Sequence, residues 1–134
     1  MIIKNKKLLK DCRSAGLCEY CLKSCKNREG AHIVSVGAGG SDISINLVRL
    51  GSTVNWCCQC HSNHHNGKAP TRGNLFQIVA DREKCDTEDI LLVIRFIQQL
   101  WKHASKYSIT ESLIALPEPA RSIAKRELEE AGKI

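Results

Sequence analysis

The sequence predicts a small α+β domain, two short strands set among helices, that needs a staple to hold it. Three observations predict this. Residues 31–36 and 45–50 are apolar and partly β-branched, which suits strands. Residues 75–84 and 87–106 repeat apolar side chains at helical spacing. Two thiol pairs, Cys18-x2-Cys21 and Cys57-x2-Cys60, place four soft ligands on two turns.

Size and composition bound the rest. A chain of 134 residues is one domain by size, and at 43% hydrophobic but only 4% aromatic its core is modest. The eight cysteines are the available staple. After Met1-Ile2-Ile3 come Lys4, Lys6, Lys7 and Lys10, with no apolar leader and no small-residue cleavage pattern. No stretch reaches the roughly 20 apolar residues of a membrane span. A cytoplasmic chain with no membrane partner is therefore expected. Its thiols stay reduced there and paired cysteines take up zinc rather than forming disulfides. The net charge is +6, and it is unevenly spread: residues 1–84 carry 13 Lys+Arg against 6 Asp+Glu, residues 85–134 carry 7 against 8. The basic half coincides with the thiol and histidine motifs and has the footprint of a polyanion partner.

Taken in order, residues 4–14 read as a short basic helix ended at Ser14-Ala15-Gly16. Cys18-Glu19-Tyr20-Cys21 reads as a knuckle turn and residues 22–30 as a polar loop. Strand 31–36 is followed by a loop over Gly37-Ala38-Gly39-Gly40-Ser41-Asp42, because consecutive glycines are poor in any regular element. Strand 45–50 leads into a loop over residues 51–55. Residues 59–65 form a short helix stopped by Asn66-Gly67. Asn74 is expected to cap the helix over 75–84, and Asp86 or Thr87 the longer one reaching Lys106. That helix is apolar on most sides and should pack on two faces. Leu116-Pro117-Glu118-Pro119 breaks the chain before a last polar helix over 120–131. The division expected is a domain over 1–106, with its core at 18–67 and packing helices at 75–106, and a helical tail over 107–134.

The thiol quartet Cys18, Cys21, Cys57 and Cys60 suits tetrahedral, structural zinc. Cys58-x-Cys60 offers an alternative in which Cys58 displaces Cys57. Cys12, Cys25 and Cys85 read as small apolar residues or spare thiols. His61 and His65 are spaced i, i+4, so a helix brings both rings to one face where they can share a second, divalent metal; His64 lies off that face. His32 sits in an apolar strand near the glycine loop and Asn46. The Asn46 carbonyl can accept one ring N–H of His32 and leave the other nitrogen as a free base. A base, an orienting amide and a metal together suggest hydrolysis of a phosphodiester.

The chain resembles the HNH endonuclease family, whose fold is the ββα-metal, or His-Me, finger. The residues that carry the resemblance are Cys18-x2-Cys21, Ala31-His32-Ile33, Gly39-Gly40-Ser41-Asp42, Asn46-Leu47, Cys57-x2-Cys60-His61 and His65-Asn66-Gly67. They span residues 18–67, more than a third of the chain, in the family's order. The resemblance implies a small ββα-metal finger with structural zinc and flanking helices, in the variant common among small phage and prophage proteins. It implies His32 as general base, Asn46 as its orienter, and His61 and His65 as ligands of one divalent ion such as Mg²⁺ or Mn²⁺. The implied activity is nicking or cutting double-stranded DNA. Asp42 is a possible extra ligand, because Ala31 stands where the family carries a His or Asp ligand. Lys23, Lys26, Arg28, Arg49, Lys68 and Arg72 are the candidate phosphate contacts. A larger phage enzyme such as a packaging terminase is a possible partner, for a monomer or a dimer. The alternative, favoured by Ala31, is a non-catalytic zinc-stapled module that binds DNA or protein.

Overall fold

The computed structural model describes residues 1–52 and 58–134. Among them are six α-helices and two small antiparallel sheets, an α+β arrangement. The first helix, α1 (Lys6–Cys12), is capped by the Asn5 side chain, which accepts from Leu8 N–H. A two-stranded ribbon follows, β1 (Gly16–Leu17) paired with β2 (Ser24–Cys25) around the first thiol turn. The second sheet pairs β3 (Arg28–His32) with β4 (Leu47–Gly51), with Ala31 opposite Val48 and His32 opposite Leu47. Alternation along β3 decides which side chains face inward. Ala31 is buried against Val48, whereas Gly30 and His32 look toward a cavity.

Strand β3 begins and ends earlier than residues 31–36, and part of the expected 22–30 loop is strand. The chain leaves the sheet after His32 because the Ile33 and Val34 backbones bond Asn46 instead of a strand partner. The connection back to β4 carries two short 3-10 turns, Val36–Ala38 and Ser44–Asn46. It is drawn tight at Gly40, where a Cβ would stand 1.8 Å from the Val34 carbonyl oxygen, a distance no side chain tolerates.

The helix α2 (Cys60–His65) packs on β4 and gives way at Asn66 and Gly67, the latter at φ 74°. In α3 (Arg72–Glu83) the N-cap is Thr71 and Asn74 is its capping-box partner three residues on, so Asn74 lies inside the helix it was expected to begin. Asp86 caps α4 (Thr87–Gln99), which packs on α3 and α6 as a helix apolar on two faces should. It does not reach Lys106: Leu100 turns extended, and Ser105 caps a separate α5 (Lys106–Leu113). The last helix, α6 (Ala120–Glu130), is polar in composition but buries Ala120, Ile123, Ala124 and Leu128 at i, i+3, i+4, i+8 against α4. Residues 107–134 thus join the hydrophobic cluster that also contains Val48, Leu50, Val79 and Ile90. Among the described residues no helix is long and apolar enough to cross a membrane.

Candidate functional site

Two donor clusters meet where α2 packs against the β3–β4 sheet. The first is made of thiols. The sulfurs of Cys18, Cys21, Cys58 and Cys60 all lie within 4.8 Å of one another. Tetrahedral zinc, with Zn–S bonds near 2.3 Å, spaces its sulfurs by roughly 3.8 Å, so the four fit one ion. The turn bearing Cys18 and Cys21 is closed by Cys18 N–H to the Lys23 carbonyl and Leu22 N–H to the Cys18 carbonyl, each 2.9 Å, with Leu22 left-handed at φ 63°. The other two thiols arrive with the start of α2. Gly51 lies beneath them, and a Cβ there would stand 2.4 Å from the Cys58 sulfur and 2.8 Å from that of Cys25. The fourth thiol among the described residues is Cys58; Cys57, named from its spacing, lies outside them. Cys25, expected as a spare thiol, is buried with its sulfur 4.0 Å from that of Cys58.

The thiols are unevenly acidic. Burial opposes ionisation of Cys18, but the N–H groups of Cys21, Gly51 and Tyr20 outweigh it and bring this thiol down to about 7. Burial pushes Cys60 up to about 12 and raises Cys58 as well, the Cys21 and Cys18 sulfurs adding to both. Clustered thiols that resist ionising together give up their protons when a cation compensates the charge.

The second cluster is made of imidazoles. His32 at the end of β3, His61, His64 and His65 on α2, and Arg72 at the start of α3 line one cavity of about 360 Å³. Each ring carries a partner that fixes its proton. His32 Nε2 lies 2.8 Å from Asp42 Oδ1. A carboxylate only accepts, so Nε2–H donates and Nδ1 keeps its lone pair. His61 Nδ1 lies 3.1 Å from Glu29 Oε1, and that hydrogen bond holds Glu29 below the usual carboxylate range. The ring therefore presents a bare Nε2, against which His65 Nε2 sits at 2.9 Å. His64 Nδ1 donates to the Pro70 carbonyl at 2.8 Å, which leaves its Nε2 bare too. Burial, and then His61 and His64, hold His65 below its ordinary 6.5, so its ring is neutral near pH 7.

The i, i+4 spacing thus brings His61 and His65 together as expected. Two ligands of a tetrahedral cation with bonds near 2.05 Å stand roughly 3.3 Å apart, a small opening of the observed pair. His65 must first move its proton to Nδ1, since it is the only possible donor between the two facing nitrogens. Glu29 behind His61 is the kind of outer carboxylate that orients a metal-binding imidazole.

Three expectations are corrected. Asn46 does not hold the His32 ring. It is fully buried, its Oδ1 accepts from Val34 N–H at 2.9 Å, and its Nδ2 donates to the Val34 and Ser41 carbonyls at 3.0 and 2.9 Å. It ties the two ends of the β3–β4 connection, and the ring's orienter is Asp42. Asp42 in turn is not placed as a metal ligand: Oδ1 serves His32, Oδ2 accepts from Asn5 N–H at 2.9 Å, and the residue is buried. Arg28 is not a free phosphate contact. Its guanidinium binds the Ser14, Leu17 and Ala15 carbonyls and Ser14 Oγ, clamping the β1–β2 ribbon. Among the other basic candidates Lys23, Lys26, Lys68 and Arg72 are exposed and Arg49 is half-buried.

Sequence reasoning placed His64 off the useful face, yet it lines the cavity with a fixed tautomer. Its signal, a carbonyl six residues on, exists only once the turn after α2 is folded. Ala31 offers no ligand, being a buried methyl. No protein-family model, curated protein or solved structure matches the chain.

Proposed function

We propose that the protein is a metal-dependent endonuclease of the HNH type that hydrolyses phosphodiester bonds in double-stranded DNA. The observation that carries this reading is the single cavity lined by His32, His61, His64 and His65, with Asp42, Glu29 and the Pro70 carbonyl each fixing a ring proton. The order β3, β4, α2, with His32 closing the first strand and the histidine pair on the helix, supports a ββα-metal finger. The thiol quartet supports structural zinc: Cys60 and His61 are consecutive, so anchoring one positions the other.

His61 and His65 would hold the divalent ion through their Nε2 atoms. When bound, the ion supplies positive charge to the scissile phosphate and to the departing oxygen. His32 Nδ1 takes the proton of the attacking water, and Asp42 stabilises the imidazolium that results. Arg72, on the cavity wall, and exposed Lys68 attract the phosphate backbone. The basic half of the chain adds a longer-range field of the same sign.

A second reading, a non-catalytic zinc-stapled module, is favoured by one observation. Among the described residues, no third His, Cys, Asp or Glu joins His61 and His65 in a metal-sized group. Supercoiled plasmid incubated with Mg²⁺ or Mn²⁺ separates the two. The nuclease reading requires nicking by the wild type and a loss of about a hundredfold or more in His32→Ala, with zinc content unchanged. If wild type leaves the plasmid supercoiled but shifts it in a gel, the binding module stands instead.

A further inference from the structure

The buried carboxylate of Glu127, on α6, lies far along the chain from the finger and has no role in the chemistry above. It is 2% exposed. Its oxygens accept from Ser44 N–H at 3.2 Å and Ile45 N–H at 3.3 Å, and from the Ser44 hydroxyl. These are the first amides of the 3-10 turn Ser44–Asn46, so Glu127 caps that turn from another element. Arg126 balances the carboxylate at 3.1 Å and is itself held by Glu83.

The capped turn delivers Asn46, whose side chain grips Val34 and Ser41. Ser41 Oγ accepts from Ile3 N–H at 2.9 Å, and Asp42 N–H bonds the Ile3 carbonyl at 2.8 Å. Asp42 then holds the His32 ring. A small cavity of about 50 Å³ is lined by both Asp42 and Glu127, so the two carboxylates border the same packing layer. From these contacts we infer that Glu127 is a positioning residue for the His32–Asp42 pair. It acts through the Ser44–Asn46 turn and makes the C-terminal helix part of the candidate active site. The inference rests on His32 being the base of the proposed endonuclease; the contact path itself does not.

The test uses the full-length, zinc-loaded chain with two variants along the path, Glu127→Gln and Ser44→Ala. Glu83→Gln serves as control, since it breaks the Arg126 pair without touching the turn. Nicking kinetics and the imidazole ¹H–¹⁵N spectrum of His32 are recorded for each. The path variants should lower kcat about tenfold or more with KM unchanged, and convert His32 from one tautomer to a mixture. Glu83→Gln should lower the melting temperature but leave kcat and the spectrum alone. An unchanged His32 spectrum in Glu127→Gln, with a melting loss like the control's, overturns the inference. If Glu127→Gln does not fold, Ser44→Ala decides by the same two readouts. If the wild type does not nick at all, the endonuclease reading fails, and the spectrum alone still decides the coupling.

Discussion

The thiol cluster and the imidazole cluster adjoin on α2, at Cys60 and His61, yet they are built to opposite plans. The thiols are mutually close, half-buried or buried, and complete: four soft donors for one tetrahedral ion. The imidazoles line a cavity, only two of them converge, and His32, His61 and His64 are each held from behind by an acceptor. A saturated, enclosed donor set has no position left for a substrate and can only hold the fold together. A part-filled set with its ring protons assigned leaves coordination positions and lone pairs open. The same short stretch of chain thus serves as staple and as candidate chemistry, and burial is what separates the two uses.

The sharpest way to break this contrast is to remove a thiol. Cys60→Ser should abolish tight zinc binding and with it cooperative unfolding, because structural zinc contributes on the order of 10 kcal/mol in small finger domains. Gly51→Ala, which drives a methyl into the Cys58 and Cys25 sulfurs, should act in the same direction. Metal analysis beside a thermal melt reads both. A melt unchanged in Cys60→Ser would remove the staple from the account.

Next in size is the exchange of roles between Asp42 and Asn46. Asp42→Asn should cost about tenfold to a hundredfold in nicking rate, since an amide no longer fixes the His32 tautomer, and about 1–3 kcal/mol of stability, since its one acceptor oxygen cannot serve both His32 and the Asn5 N–H. Asn46→Ala should cost about 1–3 kcal/mol of stability by orphaning buried backbone groups of Val34 and Ser41. Rate and denaturation measured on both variants would expose an inverted assignment.

The clusters should also part company with pH. His65 is held below its ordinary 6.5 and Glu29 below 4.5. For each, the folded value is below the unfolded one, so the stability they contribute is complete above the unfolded value and is lost as pH falls. Divalent-ion binding at the imidazoles should weaken as pH falls through the lowered value of His65, and fail further when Glu29 protonates. Zinc in the thiol site should outlast the ion at the imidazoles as the pH is lowered. Calorimetric titration with Mn²⁺ beside zinc analysis follows both. Parallel loss of the two metals would deny the contrast.

The smallest expected effect concerns the basic residues. Lys68→Ala should reduce the slope of log affinity for DNA against log salt by about 1. Arg28→Ala should leave that slope alone and loosen the β1–β2 ribbon, because its guanidinium is already committed to Ser14, Ala15 and Leu17. Equal slopes in the two variants would return Arg28 to the phosphate-binding face.

Much of this was readable from local pattern. The x2 spacing at Cys18 and Cys21, the i, i+4 pair His61 and His65, and the stop at Gly67 depend on a few neighbouring residues, and each is found where the pattern puts it. The helix starting at Thr87 was equally legible from its Asp86 cap, but its end was not. Leu100 and Trp101 continue the apolar run, and only the packing of neighbouring elements tells the chain to turn there. Likewise the apolar stripe of α6 is diluted by charges that keep it polar on average.

The sequence by itself determined which chemistry is available: thiolates in pairs, imidazoles one helical turn apart, and an excess of basic residues in one half. Tertiary structure alone decided who serves whom. Asp42 reaches His32 across 10 residues, Glu29 reaches His61 across 32, and Glu127 reaches Ser44 across 83. Such partners are set by how strands, turns and helices dock. A side chain's choice of acceptor is a matter of ångströms in space, and no spacing along the chain encodes it.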